Sequence, residues 1–236
     1  VTRDEGVTWD AKEVMRSDPQ TTETFVWGDG GMGVLGLNED QAIDKSSPTQ
    51  LSGDWNVSAL FQSMASDGVV IPKTNGTLWT WGRNQKGFMG LNQPNNYTRS
   101  SPTQIGTDSD WGKSVFSSGN TSQKSCFAIK TSGELWSWGY NRDGRLGHND
   151  TQHKSSPTQL PGTTWDAVCS YCAGSTSTRT AASKTDGTMW VWGSNNIGQH
   201  GQNNRTKCSS PVQLGTDTTW TNKFYVQEHC THWIKN

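Results

Sequence analysis

Four segments ending in Trp-Gly recur along this chain, and their recurrence limits the possible folds more than any other feature. They are Phe25-Val26-Trp27-Gly28, Trp79-Thr80-Trp81-Gly82, Trp136-Ser137-Trp138-Gly139 and Trp190-Val191-Trp192-Gly193, at intervals of 54, 57 and 54 residues. Downstream of each comes Ser-Ser-Pro, at 46–48, 100–102, 155–157 and 209–211. Seven to nine residues beyond each Pro stands another Trp: Trp55, Trp111, Trp165 and Trp220. Three markers repeating in step define an architecture in which one supersecondary unit is copied and buries its apolar face on the next.

Each unit reads as β-structure. Ala128-Ile129-Lys130, Thr131-Ser132-Gly133 and the run from Glu134 to Trp138 form a strand, a tight turn and a strand. The same turn returns as Thr74-Asn75-Gly76 and Thr185-Asp186-Gly187. Side chains alternate across a strand, so Trp136 and Trp138 share a face, as do Trp79 with Trp81 and Trp190 with Trp192. Each sheet thus carries an indole pair to press on a neighbour. Behind the second Trp lies Gly-x-Asn-x-x-Gly, with Asn84, Asn141 and Asn195 in three units and Gly30 in the first. Asn and Gly both tolerate positive φ, which predicts a left-handed residue there. Ser-Ser-Pro predicts an edge strand or a strand entry, where proline removes no ladder hydrogen bond. No stretch of ten residues holds a helical period; residues 10–16 come nearest. The expectation is an all-β chain.

Composition narrows the function. Only 30% of the 236 residues are apolar, yet 13 are Trp, which argues for a folded chain whose core rests on large aromatics. A net charge of -1 offers no basic field for nucleic acid and no polybasic membrane patch. No apolar run approaches the roughly 20 residues of a membrane span. The start, Val1-Thr2-Arg3, lacks Met and a signal-like apolar stretch, so the sequence is either processed or an excerpt.

The chemistry sought in motifs is absent. Gly28-Asp29-Gly30-Gly31-Met32-Gly33 satisfies the dinucleotide-binding spacing, but it is one variant of the turn found in every unit, with no helix predicted behind it. Gly112-Lys113-Ser114 lacks the leading glycine of a phosphate loop, since Thr107 stands there. Cys169-x-x-Cys172 has no second close pair, although His229 and His232 flank Cys230. Five cysteines do not read as a disulfide framework. The sequence therefore predicts no catalytic residue, no cofactor and no metal.

The pattern Leu-Trp-x-Trp-Gly-x-Asn-x-x-Gly-x-Leu-Gly with a downstream Ser-Ser-Pro-x-Gln, complete from Leu135 to Gly147 and Ser155 to Gln159, resembles the repeat of the RCC1 family. The resemblance covers residues 20–236 and implies an RCC1-like β-propeller or propeller segment. It treats 1–236 as one repeat domain, with markers at 25–55, 78–111, 135–165 and 189–220 and partial units at both ends. The family includes nucleotide-exchange factors for a small GTPase, an ultraviolet receptor and many interaction modules; short Ser/Thr/Asn-rich versions are similar to bacterial and viral ones. Two readings follow: a virion or extracellular structural component, or a cellular regulator of exchange-factor type. Both need protein partners, which include other copies of this chain, and neither needs nucleic acid or membrane insertion. The indoles occur in every unit and so belong to the core before any light-sensing role.

The number of units leaves closure open. Thr8-Trp9-Asp10-Ala11 echoes Thr164-Trp165-Asp166-Ala167, and the segment from Trp220 to Asn236 matches that from Trp111 to Thr131. Either Glu23 to Gly28 supplies the strand missing after Lys235, or the chain is part of a larger propeller, or it is an arc completed by another copy. Binding is expected where the units differ. Arg83, Tyr140 and Ser194 follow Trp-Gly, then Gln85, Arg142 and Asn196, then Lys86, Asp143 and Ile197. Loops on a rigid scaffold carry function, which makes Arg83, Lys86, Tyr140 and Arg142 the candidate partner-binding residues.

Overall fold

The computed structural model describes residues 23–39, 43–56, 67–119, 123–171, 178–226 and 231–235. The echo at Trp9, the stretch 10–16, Cys172, His229 and Cys230 lie outside them. The strands are β1 (Thr24–Gly28), β2 (Lys45–Leu51), β3 (Gly68–Pro72), β4 (Leu78–Asn84), β5 (Tyr97–Gln104), β6 (Trp111–Ser118), β7 (Ser125–Lys130) and β8 (Leu135–Gly139). They continue with β9 (Lys154–Gln159), β10 (Trp165–Tyr171), β11 (Arg179–Lys184), β12 (Met189–Gly193), β13 (Cys208–Gln213), β14 (Trp220–Val226) and β15 (Thr231–Lys235).

These strands form five antiparallel sheets in chain order. Two are complete four-stranded blades, β6-β7-β8-β9 and β10-β11-β12-β13. A third, β3-β4-β5, gains the start of its first strand through the bridge from Trp55 to Lys73. Two-stranded sheets stand at the ends, β1-β2 and β14-β15. Lettering a blade's strands a to d, each Trp-x-Trp-Gly segment is strand c and each Ser-Ser-Pro lies in strand d at the sheet edge, as the prolines require. The register shifts beside each Ser-Ser-Pro, as between Ser137↔Thr158 and Gly139↔Lys154, so the proline sits next to a bulge. The marker Trp that follows begins strand a of the next blade. The sequence repeat therefore runs c-d-a-b and straddles two blades, so that among the described residues strands c and d stand alone at the N-terminal end and a and b at the other.

One apolar cluster fills each interface between sheets. Val70, Leu78, Phe88 and Ile105 of the blade containing β3 meet Trp111, Val115 and Trp138 of the next. Phe127, Ile129, Leu135, Leu146 and Leu160 then meet Trp165, Val168, Ala182 and Trp192. The second indole of strand c also donates to a carbonyl of the preceding blade. Trp81 Nε1 reaches Val34 O at 2.8 Å, Trp138 reaches Phe88 O at 2.8 Å and Trp192 reaches Arg145 O at 2.6 Å. A glycine receives each ring: a Cβ on Gly36, Gly90 or Gly147 would stand about 3 Å from the indole nitrogen of Trp81, Trp138 or Trp192. The shared face expected of the indole pairs is present, because Trp165 packs edge-on against both Trp190 and Trp192, at 6.0 and 6.1 Å. A lysine closes each such group: Lys73, Lys130 and Lys184 each lie over two indoles of their own blade.

The predicted b-c turns also serve these interfaces. Gly76, Gly133 and Gly187 adopt φ of 80°, 85° and 75°. Their carbonyls accept the backbone N–H of Trp111, Trp165 and Trp220, at 3.0, 3.0 and 3.3 Å, so each turn clamps the first residue of the following blade.

Candidate protein-interaction rim

The start of strand b, the end of strand c and the start of strand d lie on one rim, where Ser125 pairs with Gly139 and Gly139 with Lys154. The c-d loop is organised by its Asn, though not in the way the sequence suggested. Asn141 has φ of -125° and Gly30 φ of -84°, neither left-handed. The left-handed residues come two positions later: Met32 (φ 59°), Lys86 (φ 55°) and Asp143 (φ 66°). The buried Asn amide instead ties the loop together. Asn84, Asn141 and Asn195 Oδ1 accept the backbone N–H of Met89, Leu146 and His200 at 2.9–3.0 Å. Their Nδ2 groups donate to the far side of the loop, as Asn141 does to Asp150 O at 3.1 Å. Where Gly30 replaces Asn, Asp44 Oδ1 accepts the Gly30 N–H at 3.0 Å.

On this frame the variable residues take different places. Lys86 and Arg142 line a recess of about 600 Å³ together with Tyr140, Asp143, Thr151, His153 and Lys207. Loops of three successive blades contribute to it. Tyr140 is only 7% exposed: its ring stacks on His153 at 4.9 Å, and the Arg145 guanidinium lies 4.7 Å from its centre. It forms the recess wall and not a free contact. The Asn141 N–H donates to His153 Nδ1 at 3.0 Å, and burial, then Lys86 and Arg145, hold the His153 pKa below its ordinary value. His153 is thus neutral at pH 7 with its proton on Nε2. Lys207 stands 3.8 Å from Asp143, whose other oxygen accepts from Thr178 of the next blade at 3.5 Å.

Arg83 points elsewhere, to Asp67 at 3.7 Å. Asp67 also pairs with Lys124, which is fully buried and whose pKa burial lowers to about 8. Asp67 and Lys124 end the a-b loops of neighbouring blades, so this ion pair fastens one blade to the next and draws Arg83 into the frame. Sequence reasoning missed Asp67, Lys124, His153 and Lys207, which do not belong to the marker motifs. Among the described residues no three His, Cys, Asp or Glu side chains gather to hold a metal ion. Gly112-Lys113-Ser114 lies inside β6, and Gly31–Gly33 is one turn of 3-10 helix behind β1, so neither has the helix that a phosphate or dinucleotide site uses.

Four-stranded antiparallel blades stacked through indoles define a β-propeller segment. Residues 75–122 and 132–179 match the Regulator of chromosome condensation (RCC1) repeat, so this part of the chain carries two RCC1-like repeats. It is 25% identical over 197 residues to the E3 ubiquitin-protein ligase HERC2 of Homo sapiens, covering 82% of this chain and 4% of that protein. It is 37% identical over 87 residues to Protein RCC2 of Homo sapiens, covering 36% of this chain and 16% of the other. Prp20p from Saccharomyces cerevisiae, whose structure was determined with its binding properties to Gsp1p and histones, superposes with a TM-score of 0.57 at 17% identity, over 83% of this chain and 47% of its own. The chain spans less than half the length of each of these relatives.

Proposed function

We propose that this chain is a non-catalytic protein-interaction module that recognises an acidic protein surface through the recess of Lys86, Arg142 and Lys207. The observation that carries the reading is the contrast between a repeated frame and a rim where three cations and one carboxylate line a single recess, although the whole chain has a net charge of -1. Tyr140 and His153 give the recess a rigid aromatic wall, and rigid aromatic surface beside arginine is what interface hot spots use. Among the two readings of the family resemblance, the regulatory one draws support from Prp20p and its binding to Gsp1p and histones. The virion or extracellular reading draws none from the relatives described above.

Charge reversal tests the proposal. With a partner identified by cross-linking, Lys86→Glu combined with Arg142→Glu is expected to weaken binding about a hundredfold and to flatten its salt dependence. Lys223→Glu, at an exposed position on strand a outside the recess, serves as the control. Binding unchanged by the double reversal would reject the rim.

A further inference from the structure

The recess of Lys86, Arg142 and Lys207 has a more particular chemistry than an acidic partner alone requires. Of the described residues that line it, three are cations and one is a carboxylate. With His153 neutral, two positive charges are left uncompensated. Asp143 is already engaged: one oxygen faces Lys207 at 3.8 Å and the other accepts from Thr178 at 3.5 Å. Besides Tyr140, the remaining lining is the Thr151 hydroxyl and the His153 ring. His153 Nδ1 accepts the Asn141 N–H at 3.0 Å, so Nε2 carries the proton and donates. The recess therefore presents positive charge and neutral donors together.

These groups do not come from the repeated frame. At the place of Arg142 the neighbouring units have Gln85 and Asn196, and at the place of Tyr140 they have Arg83 and Ser194. Lys86 holds the place of Asp143 in the preceding loop, and Lys207 the place of His153 in the following one. Cations thus reach one recess from three loops, each from a different position of its loop. The Lys86 backbone is fixed in its left-handed turn, at φ 55°, by the Asn95 Oδ1 that accepts its N–H at 2.7 Å.

A carboxylate brings one charge and two oxygens in a plane. A phosphomonoester brings about −1.5 to −2 charges at pH 7 and three terminal oxygens that spread in three directions. The second matches both the uncompensated charge and the three directions of approach. We infer, resting on the interaction reading above, that the group this recess takes from its protein partner is a phosphorylated side chain. Lys86, Arg142 and Lys207 surround its oxygens, Arg142 through paired N–H donors, and His153 Nε2 and Thr151 Oγ1 add neutral ones.

NMR titration of the full chain in phosphate-free buffer tests this with three probes. They are the peptide acetyl-Gly-Gly-phosphoserine-Gly-Gly-amide, the same peptide with glutamate in place of phosphoserine, and inorganic phosphate. The phosphoserine peptide is expected to bind about tenfold more tightly than the glutamate peptide and more tightly than inorganic phosphate. It is also expected to move the His153 ring signals and raise the pKa of that ring, since a dianion beside it favours the imidazolium. Arg142→Ala and Lys207→Ala, both at exposed positions, are each expected to weaken the phosphoserine peptide about tenfold. Equal affinity for the two peptides would overturn the phosphate and leave the acidic-surface reading standing. Inorganic phosphate binding as tightly as the phosphoserine peptide would overturn the protein-borne group in favour of a free anion. His153 signals indifferent to the phosphoserine peptide would also overturn the inference, while the charge-reversal experiment still decides the acidic-surface reading separately.

Discussion

Trp138 and Trp27 hold the same place in the repeat and have opposite surroundings. Trp138 is fully buried and donates to Phe88 O across a blade boundary, while Trp27 is mostly exposed. Nothing local separates the segments Trp-Ser-Trp-Gly and Phe-Val-Trp-Gly; the difference is that a blade precedes β8 and none is described before β1. A repeat residue becomes core only when its neighbour is present, so stability belongs to the interfaces between blades more than to any blade alone.

The contrast predicts the largest effect. Trp138→Ala empties the centre of an interface and is expected to cost about 3–5 kcal/mol in urea unfolding. Trp27→Ala is expected to cost about 0.5 kcal/mol or less, since that ring is 61% exposed. Equal losses would break the comparison.

A smaller effect sharpens it at the last interface. Met89 and Leu146 are buried apolar residues at the position that His200 fills there. Burial, and then the nearby Arg179, lower the His200 pKa from 6.5 to about 4. The unfolded chain therefore takes up a proton near 6.5 that the folded chain refuses until about 4. Stability is expected to fall as the pH drops through that window, by up to about 3 kcal/mol. His200→Leu is expected to flatten that fall in urea titrations at pH 7 and pH 4.5; an unchanged slope would show that the histidine is not the cause.

Much of this fold is legible in the sequence because each marker has one strong physical reason. An indole pair in alternation needs a partner face, a glycine after Asn or Asp marks a hairpin, and a proline belongs on an edge. Where one residue type serves two ends, the reading fails. Asn84, Asn141 and Asn195 tolerate positive φ, but their amides bridge the loop instead, a role set by groups that lie five and nine or more residues away. Tyr140 varies between units and so resembled a free loop residue; the return of the loop at His153 covers it. The pair of Asp67 and Lys124 was not legible, since the two residues meet only after neighbouring blades have docked. Nor do repeat counts reveal the phase by which four sequence units become complete blades flanked by halves.

Blade stacking in this chain depends on the second indole of strand c locking its blade to the one before. Hydrogen exchange at the indole N–H groups, read residue by residue by NMR, addresses that lock directly. The Nε1 hydrogens of Trp81, Trp138 and Trp192 are expected to exchange only through unfolding, orders of magnitude more slowly than a free indole. Exchange of all three at the free-indole rate in the folded chain would contradict it.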